Sequence, residues 1–514
     1  MSDTVERSVA PRGARPGARR RRPSWRRAAG LSGTLGVTAM TALLPGSGYV
    51  WSGRRKFGWV VLLLSLGVAA YVGWYFLRDP HAAVTFVFDP VRLKTAAVVV
   101  SVGFVAWAFV VVTTYLMIRP AHRRRLQTVA GTAFVLFLCL VVAAPVAVAA
   151  RYSMVQADLV THVFQHNQSA TAPRHVTEKD PWSGRDRVNV LLLGGDGGVD
   201  REGVRTDSMI LMSIDTHSGR TVMFSLPRNM MNAPFPDNSP LHAVYPDGFR
   251  NYTGDSSQDG NWMLNAIYRE VPALHPHILG KSDNEGADAL KQAVEGTLDV
   301  PVDYYVLVNL MGFRQIVDAM GGVTVNINQP IPIGGNTDLH VLPDGYLQPG
   351  PHQRLNGFQA LWFTRGRFGS TDYQRMDRQR CMIGAIIDEA KPLKLLSRYQ
   401  QLAAAGKRIV RTDIPSVLLP AFVDLGTKMK DAPVQSVVFK TSDKFFSGDP
   451  DFAWMRQVAR RALHPHHHKK HGPTAGSSSS TPSSSPSVDP GAPENPKDSC
   501  AYNPVGTTTT TTTP

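Results

Sequence analysis

The stretch Asn189-Val190-Leu191-Leu192-Leu193-Gly194-Gly195-Asp196 decides how the larger part of this chain is read. Four aliphatic residues in succession, with no polar alternation, suit a strand buried on both faces, as in a sheet with helices on either side. The run ends in two glycines and a carboxylate, and such strand ends are where α/β folds place ligands. A second apolar run, 209–214, follows Arg205-Thr206-Asp207-Ser208, which sets Asp207 at the start of that strand. A third run, 221–226, ends in Pro227-Arg228-Asn229. Two aspartates at neighbouring strand ends offer the hard oxygen ligands that Mg2+ takes beside a pyrophosphate; each is otherwise an ordinary turn residue. The Arg228 guanidinium is a planar fork of donors suited to a phosphate, or to a surface ion pair.

Outward from these strands, further runs at 304–307 and 323–327 read as strands, and 286–296 and 377–390 as helices. Together they predict one α/β domain over residues 186–463. Its densest polar segment runs from Gly357 through Arg365-Gly366-Arg367 to Asp372, Arg375, Arg378 and Gln379. Arg365 and Arg367 are two apart, so an extended backbone would point both to one face. From Asp372 the period turns helical: Asp372, Arg375 and Gln379 share one stripe, while Met376, Ile383, Ile386, Ile387 and Ala390 mark an apolar one. Arginines on one face repel unless an anion sits among them or carboxylates such as Asp372 and Asp377 pair with them.

The rest of the chain has a different character. The 514 residues hold 55 Lys+Arg and 40 Asp+Glu, a formal net charge of +15. Residues 1–127 contain 19 basic and 4 acidic side chains, which accounts for all of the excess and leaves 36 of each sign in the remainder. That neutrality excludes a nucleic-acid-binding role for the larger part. The basic region also contains three uncharged apolar runs, 58–77, 95–118 and 128–150, each long enough to cross a bilayer core. They begin too late and run too long for a cleavable signal peptide. Positive charge flanks alternate ends of these spans, in the arm before residue 57 and in Arg119–Arg125, so those segments are expected in the cytoplasm and everything after Arg151 outside it. An apolar stretch at 31–44 is too short to span and is expected to lie in the interface or re-enter. The domain organisation is therefore a basic cytoplasmic arm (1–57), three spans (58–150), a polar stalk (151–185), the α/β domain (186–463) and a tail (464–514). The tail, rich in His, Ser, Pro and Thr, is expected to be disordered. Three cysteines, Cys139, Cys381 and Cys500, offer no disulfide framework and no cysteine metal site.

With these motifs in place, residues 186–463 resemble the LytR-CpsA-Psr family of cell-envelope proteins. The resemblance rests on Gly195-Asp196, Arg205-Thr206-Asp207-Ser208, Ser225-Leu226-Pro227-Arg228, Leu264-Asn265-Ala266-Ile267-Tyr268, Gly321-Gly322-Val323 and Arg365-Gly366-Arg367 followed by Asp372, Arg375 and Arg378-Gln379. It implies a three-layer α-β-α domain with a central mixed sheet. It also implies a membrane-bound phosphotransferase that moves a glycopolymer of teichoic-acid, arabinogalactan or capsule type from undecaprenyl pyrophosphate to peptidoglycan. Asp196 and Asp207 would support Mg2+, and Arg205, Arg228, Arg365, Arg367, Arg375 and Gln379 would grip the pyrophosphate, with Asp372 orienting the arginines. Asp196, Asp207, Arg228 and Arg375 would carry the catalysis. Most members have an acidic residue where this chain has Asn229, which puts one accessory carboxylate in doubt. Three readings compete with the ligase: a non-catalytic wall-polymer binding protein, a membrane-bound transcriptional attenuator, and a hydrolase that releases the polymer to water. The expected partners are the lipid-linked polymer, peptidoglycan and the cell membrane, with no nucleic acid.

Overall fold

The computed structural model describes residues 26–28, 30–78, 86–120, 125–164, 169–195, 206–337, 340–389, 410–464, 491–495 and 500–504. The chain divides into two units, Met1–Pro80 with Ala96–Arg151, and His81–Thr95 with Tyr152–Pro514.

The apolar runs become helices. Helix α1 (Leu31–Leu43) and the short α2 (Ser47–Trp51) precede α3 (Arg55–Arg78), α4 (Pro90–Ile118) and α5 (Arg125–Phe164). Three of these are long and apolar enough to cross a membrane, over Arg55–Tyr75, Pro90–Ile118 and Arg125–Thr161, with mean hydropathies of 1.8, 2.4 and 2.8. Their outward faces expose Leu63, Leu64, Val99, Phe109 and Leu140, a surface suited to hydrocarbon and costly in water. Helix α1, with 13 residues, is short of a span. Within this unit Val111, Tyr115 and Val135 form a small core, and the Trp107 indole N–H donates to the Ala42 carbonyl at 2.9 Å. A Cβ on Gly58 would lie 2.5 Å from the Val50 amide nitrogen, so the tight α2–α3 corner admits no side chain there.

The segment expected as a stalk departs from that reading. Helix α5 continues to Phe164, and residues 169–185 lie against the α/β domain. The hydroxyls of Ser169 and Thr171 both donate to the buried Asp288 carboxylate at 2.6 Å, Trp182 packs edge-on to Phe422 at 5.1 Å, and Arg185 pairs with Asp303. A polar, proline-containing segment reads as a linker because partners more than a hundred residues away leave no local pattern.

In chain order the α/β domain comprises β1 (Arg187–Gly195), β2 (Thr206–Asp215), β3 (Thr221–Leu226), α6 (Ile267–Leu274), α7 (Glu285–Leu298), β4 (Tyr304–Asn309), α8 (Leu310–Met320), β5 (Val323–Ile327), β6 (Ile331–Asn336), β7 (Val341–Leu347) and β8 (Gly350–Leu355). It continues with α9 (Gly357–Arg365), α10 (Asp372–Glu389), β9 (Val410–Thr412), α11 (Leu419–Asp431), β10 (Val434–Val438) and α12 (Phe452–Leu463). Six strands form a mixed sheet in the order β10-β3-β2-β1-β4-β9. β1 runs parallel to β4 and β3 parallel to β10, whereas β2 is antiparallel to both its neighbours. Alternate residues of the central strands go to opposite faces, which is why these runs are apolar throughout. Leu191, Leu193, Met209, Leu211 and Phe224 pack against α7 and α12. Val190, Ile210, Met212, Ile214 and Met223 pack against α11 and, through Ile383, α10. The result is the three-layer α-β-α domain that the resemblance implied.

The strand expected at 323–327 is present but belongs to a separate two-stranded sheet with β8; β6 and β7 form another. These pack with α8, α9 and α10 around Val323, Val325, Ile327, Leu355 and Phe363. The Gly321-Gly322 pair ends α8 with φ of 79° and 93°, and a Cβ on Gly322 would lie 2.6 Å from the Leu355 carbonyl oxygen. That motif is therefore required by the turn from α8 into β5.

Two readings of the C-terminus are corrected. Cys381 and Cys500 form a disulfide, so the cysteines do staple the domain. The described part of the tail is also ordered against it: Glu494 pairs with Ser436 of β10 in an antiparallel bridge. Composition points to a solvated tail, but one cysteine and one glutamate suffice to fasten it where partners exist in three dimensions.

Candidate active site

The strand directions bring the site together. Gly195 of β1 is in register with Asn309 of β4, and Ser225 of β3 with Val438 of β10, so four strands end on one edge of the sheet while β2 begins there. Asp207 opens β2 and Arg228 follows β3 at that edge. Ligand sites form at this carboxyl edge because the chain leaves each strand there and side chains from several loops can converge. Helix α10 points its first turn at the same place and delivers Asp372 and Arg375.

The resulting constellation is tight. Arg228 Nη1 donates to Asp207 Oδ1 at 2.6 Å, and its Nε lies 3.5 Å from Asp372 Oδ2. Arg375 Nη1 sits 3.2 Å from Asp372 Oδ1, and its Nη2 donates to the Asp207 carbonyl oxygen at 3.4 Å. Arg367 approaches Asp372 at 3.8 Å. Arg228, Asp207 and Asp372 keep 24%, 23% and 26% of their side-chain surface in solvent, whereas Arg375 keeps 4%. Asp372 is the hub, contacted by the guanidinium groups of Arg228, Arg367 and Arg375. Among the described residues, three arginines against two aspartates leave one formal positive charge in a partly enclosed site. Burial lowers the pKa of Arg375; Asp372 opposes that shift and Arg228 adds to it. An anion placed here would restore what burial removes.

Among the described residues, several polar atoms at this edge are buried and hold no hydrogen bond: Nε of Arg375, the hydroxyls of Thr206 and Ser225, and the side-chain oxygens of Asn229 and Asn265. Asn265 lies next to this edge, its backbone N–H donating to the Arg228 carbonyl at 3.0 Å. Buried groups without partners are rare, so a cluster of them at one edge marks a place for a polar ligand. Thr206 and Ser225 both lie in motif blocks quoted above, but neither hydroxyl was singled out as a site group, because next to an apolar run Thr and Ser read as sheet residues.

Not every expected residue joins the cluster. Arg365 is the last residue of α9 and not part of an extended segment, and its guanidinium lies over the Trp362 ring, 5.8 Å from the centroid. Arg365 and Arg367 therefore do not share a face, because a helix ends between them. Gln379 donates to the Thr364 carbonyl at 3.4 Å, and so positions the α9–α10 connection. Arg378 does the same more strongly: its Nε donates to the Phe363 carbonyl at 2.7 Å and its Nη2 to that of Gly366. Burial, with Arg375 nearby, pushes its pKa down to about 10. Asp196 and Arg205 lie outside the described residues.

Among the described residues, no three His, Cys, Asp or Glu side chains cluster as metal ligands. A Mg2+ ion needs fewer, since one or two carboxylates suffice when phosphate oxygens and water complete its shell. Asp207, with the partnerless Thr206 hydroxyl beside it, is compatible with that requirement.

From Arg375 one stripe of α10 continues through Gln379 and Ile383 to Ile387, changing from polar to apolar. Its apolar end borders a cavity of about 500 Å³ between the sheet and helices α10 and α11, lined by Met212, Met223, Ile383, Ile387, Met429 and Val434 among others.

The family model described as LytR_cpsA_psr family matches residues 153–458. A polyisoprenyl-teichoic acid–peptidoglycan teichoic acid transferase TagU of Oceanobacillus iheyensis is 31% identical over 235 residues, 45% of this chain and 60% of that protein. The biofilm regulatory protein A of Streptococcus mutans is 28% identical over 244 residues, 46% of this chain and 52% of that one. The chain thus spans about three fifths or less of the length of these two relatives. The crystal structure of protein gbs0355 from Streptococcus agalactiae aligns with a TM-score of 0.40 at 24% identity, covering 54% of this chain and 88% of that one. The match extends over more than half of the sequence and takes in the strand ends, the arginine–aspartate constellation and α10, and on that basis the chain belongs to the LytR_cpsA_psr family.

Proposed function

We propose that this protein is a membrane-anchored phosphotransferase that attaches a glycopolymer, carried on a polyprenyl pyrophosphate, to peptidoglycan. The observation that carries the reading is the Arg228, Arg367 and Arg375 cluster around Asp207 and Asp372, with partnerless buried polar atoms beside it. Transferase names among the relatives support the same reaction class. Arg228 and Arg375 bind and orient the pyrophosphate, Arg367 adds a third donor, and Asp372 holds the three apart. A sugar hydroxyl of peptidoglycan, the muramic acid C6 hydroxyl, attacks the phosphorus nearer the glycopolymer. The bond to the lipid phosphate breaks, polyprenyl phosphate leaves, and the hydroxyl proton passes to a base. Phosphoryl transfer demands mainly positioning and charge stabilisation, which fixed guanidinium groups supply. Asp207, and Asp196 from the segment between β1 and β2, would hold Mg2+, which supplies further neutralisation of the phosphate oxygens when bound.

The apolar cavity suits the first isoprene units of the carrier, because the α10 stripe joins it to the arginine cluster. The three apolar helices suit a multi-pass anchor in the cell membrane, and the alternation of basic loops favours placing the α/β domain on the outer face, where peptidoglycan is. That position and the neutral domain weigh against a transcriptional attenuator.

The test is reaction of the purified full-length chain with a lipid-pyrophosphate oligosaccharide, Mg2+ and peptidoglycan fragments, read by mass spectrometry beside Asp207→Ala. A phosphodiester adduct that the variant fails to form supports the ligase. Released polymer without adduct turns the reading to a hydrolase. Polymer binding without any turnover turns it to a wall-binding protein.

A further inference from the structure

We propose that Asn495 and Cys500 form part of the wall of the lipid cavity, fastened by the Cys381–Cys500 disulfide, and that reducing this bond weakens the hold on the polyprenyl chain. The inference rests on the reading of the cavity given above. Asn495 and Cys500 both line that cavity, together with the sheet residues Met212 and Met223. The segment reaches it by way of the sheet edge. β10 is an outermost strand, and the Ser436 and Glu494 backbones exchange hydrogen bonds of 2.8 and 2.7 Å, so the chain adds a short bridge to that edge. The Glu494 carboxylate then meets the fully buried Arg380 at 3.4 Å and Lys440 at 3.8 Å.

From Cys500 onward the described residues are held a second time. Asn326 of β5 donates to the Cys500 carbonyl at 2.8 Å, Asn328 to that of Ala501 at 3.0 Å, and the Asn503 amide to Asn328 Oδ1 at 2.8 Å. The described residues are thus anchored at two places, to β10 through Glu494 and to β5 and Asn328 through residues 500–503, and the disulfide ties Cys500 to α10. Ordinary hydrogen bonds and partly exposed ion pairs each contribute little net stability, so the covalent bond is the main fastening. With it open, the apolar lining on that side faces water and a bound hydrocarbon loses part of its burial.

Closing the wall takes two thiols to one disulfide: Cys381 and Cys500 give up two protons and two electrons to an exported disulfide-bearing oxidoreductase, which leaves as a dithiol. Opening is the reverse, with an external dithiol oxidised to its disulfide. The chain has three cysteines, and Cys139 lies in the apolar helix α5, so a reductant has a single disulfide to act on.

The test measures binding of a fluorescent polyprenyl pyrophosphate and, in parallel, of inorganic pyrophosphate to the full-length protein in detergent. The forms compared are oxidised, dithiothreitol-reduced and re-oxidised wild type, Cys500→Ser, and Glu494→Ala, which keeps the disulfide. Removing on the order of 50 Å² of apolar contact predicts roughly tenfold weaker lipid binding after reduction or in Cys500→Ser. Re-oxidation restores wild-type affinity, the reductant has no further effect on Cys500→Ser, and Glu494→Ala shows a smaller loss. Inorganic pyrophosphate binds all forms alike, because the arginine cluster is untouched. Equal lipid affinity in oxidised and reduced protein overturns the wall while leaving the lipid site standing. Parallel loss of pyrophosphate binding overturns it too, since the disulfide would then act on the whole domain. Absence of lipid binding in every form, with pyrophosphate still bound, overturns the lipid reading of the cavity and this inference with it.

Discussion

Replacing Arg228 with alanine separates a catalytic role from a structural one. Its Nη1 is 2.6 Å from Asp207 and its Nε 3.5 Å from Asp372, so the side chain bridges the two carboxylates from the centre of the site. Among the described residues the variant changes three arginines against two aspartates into two against two, which removes one positive charge from the place a pyrophosphate would occupy. Loss of one preorganised donor of this kind costs about 3–4 kcal/mol of transition-state stabilisation, on the order of a hundred- to a thousandfold in turnover. Stability responds differently. The pair is about a quarter exposed, so solvent screens it and its removal should change unfolding free energy by about 1 kcal/mol or less. Phosphodiester formation at saturating lipid donor, measured beside thermal unfolding, reads both quantities. Arg228→Lys keeps the charge but loses the fork that reaches both aspartates, and should fall between wild type and alanine. Wild-type turnover in Arg228→Ala refutes the reasoning. So does lost turnover accompanied by a large fall in Tm, which would make the residue a structural tie.

Other perturbations report on the scaffold. Arg378→Met strips buried donors from the Phe363 and Gly366 carbonyls and should cost about 2–3 kcal/mol, seen as a lowered denaturation midpoint, with turnover reduced because Arg367 is no longer held; an unchanged midpoint would show that those carbonyls find other partners. Lys291 is fully buried and donates to Asp413 and to the Asp303 carbonyl, so Lys291→Met should destabilise by roughly 3–5 kcal/mol, and adding Asp413→Asn should recover part of that. A double variant no more stable than the single one would mean that the lost packing of Lys291 outweighs the stranded charge. Burial, with Tyr252 and Glu270 adding to it, pushes the Tyr245 hydroxyl up to about 12, above the value of about 10 of an unfolded chain. Folding thus keeps a proton that the unfolded state releases: the contribution is complete below pH 10 and is lost as pH rises to 12. Wild type should lose stability more steeply than Tyr245→Phe across that interval, and parallel denaturation midpoints would remove Tyr245 from the alkaline transition. At neutral pH the phenylalanine variant should be as stable or more so, because the hydroxyl is buried with no hydrogen-bond partner among the described residues.

Much of this architecture was legible in local pattern. Uninterrupted apolar runs of twenty residues or more permit little other than membrane-length helices, and Val188–Leu193 or Met209–Ile214 permit little other than doubly buried strands, since hydrophobic length and period are properties of neighbouring residues. Asp207, Arg228, Asp372 and Arg375 were identifiable because each sits at the end of such an element or at a helical spacing. Tertiary structure decided which of them meet. Arg365 and Arg367, two apart in sequence, separate because α9 ends between them, and Arg378 turns inward to carbonyls that no spacing announces. The stalk that packs on Asp288, the buried Lys291–Asp413 pair and the Cys381–Cys500 bond across 119 residues were likewise invisible. Each is a single polar or thiol contact between distant segments. Such contacts have no period, and they exist only once the sheet and its two helical layers have brought the partners within reach.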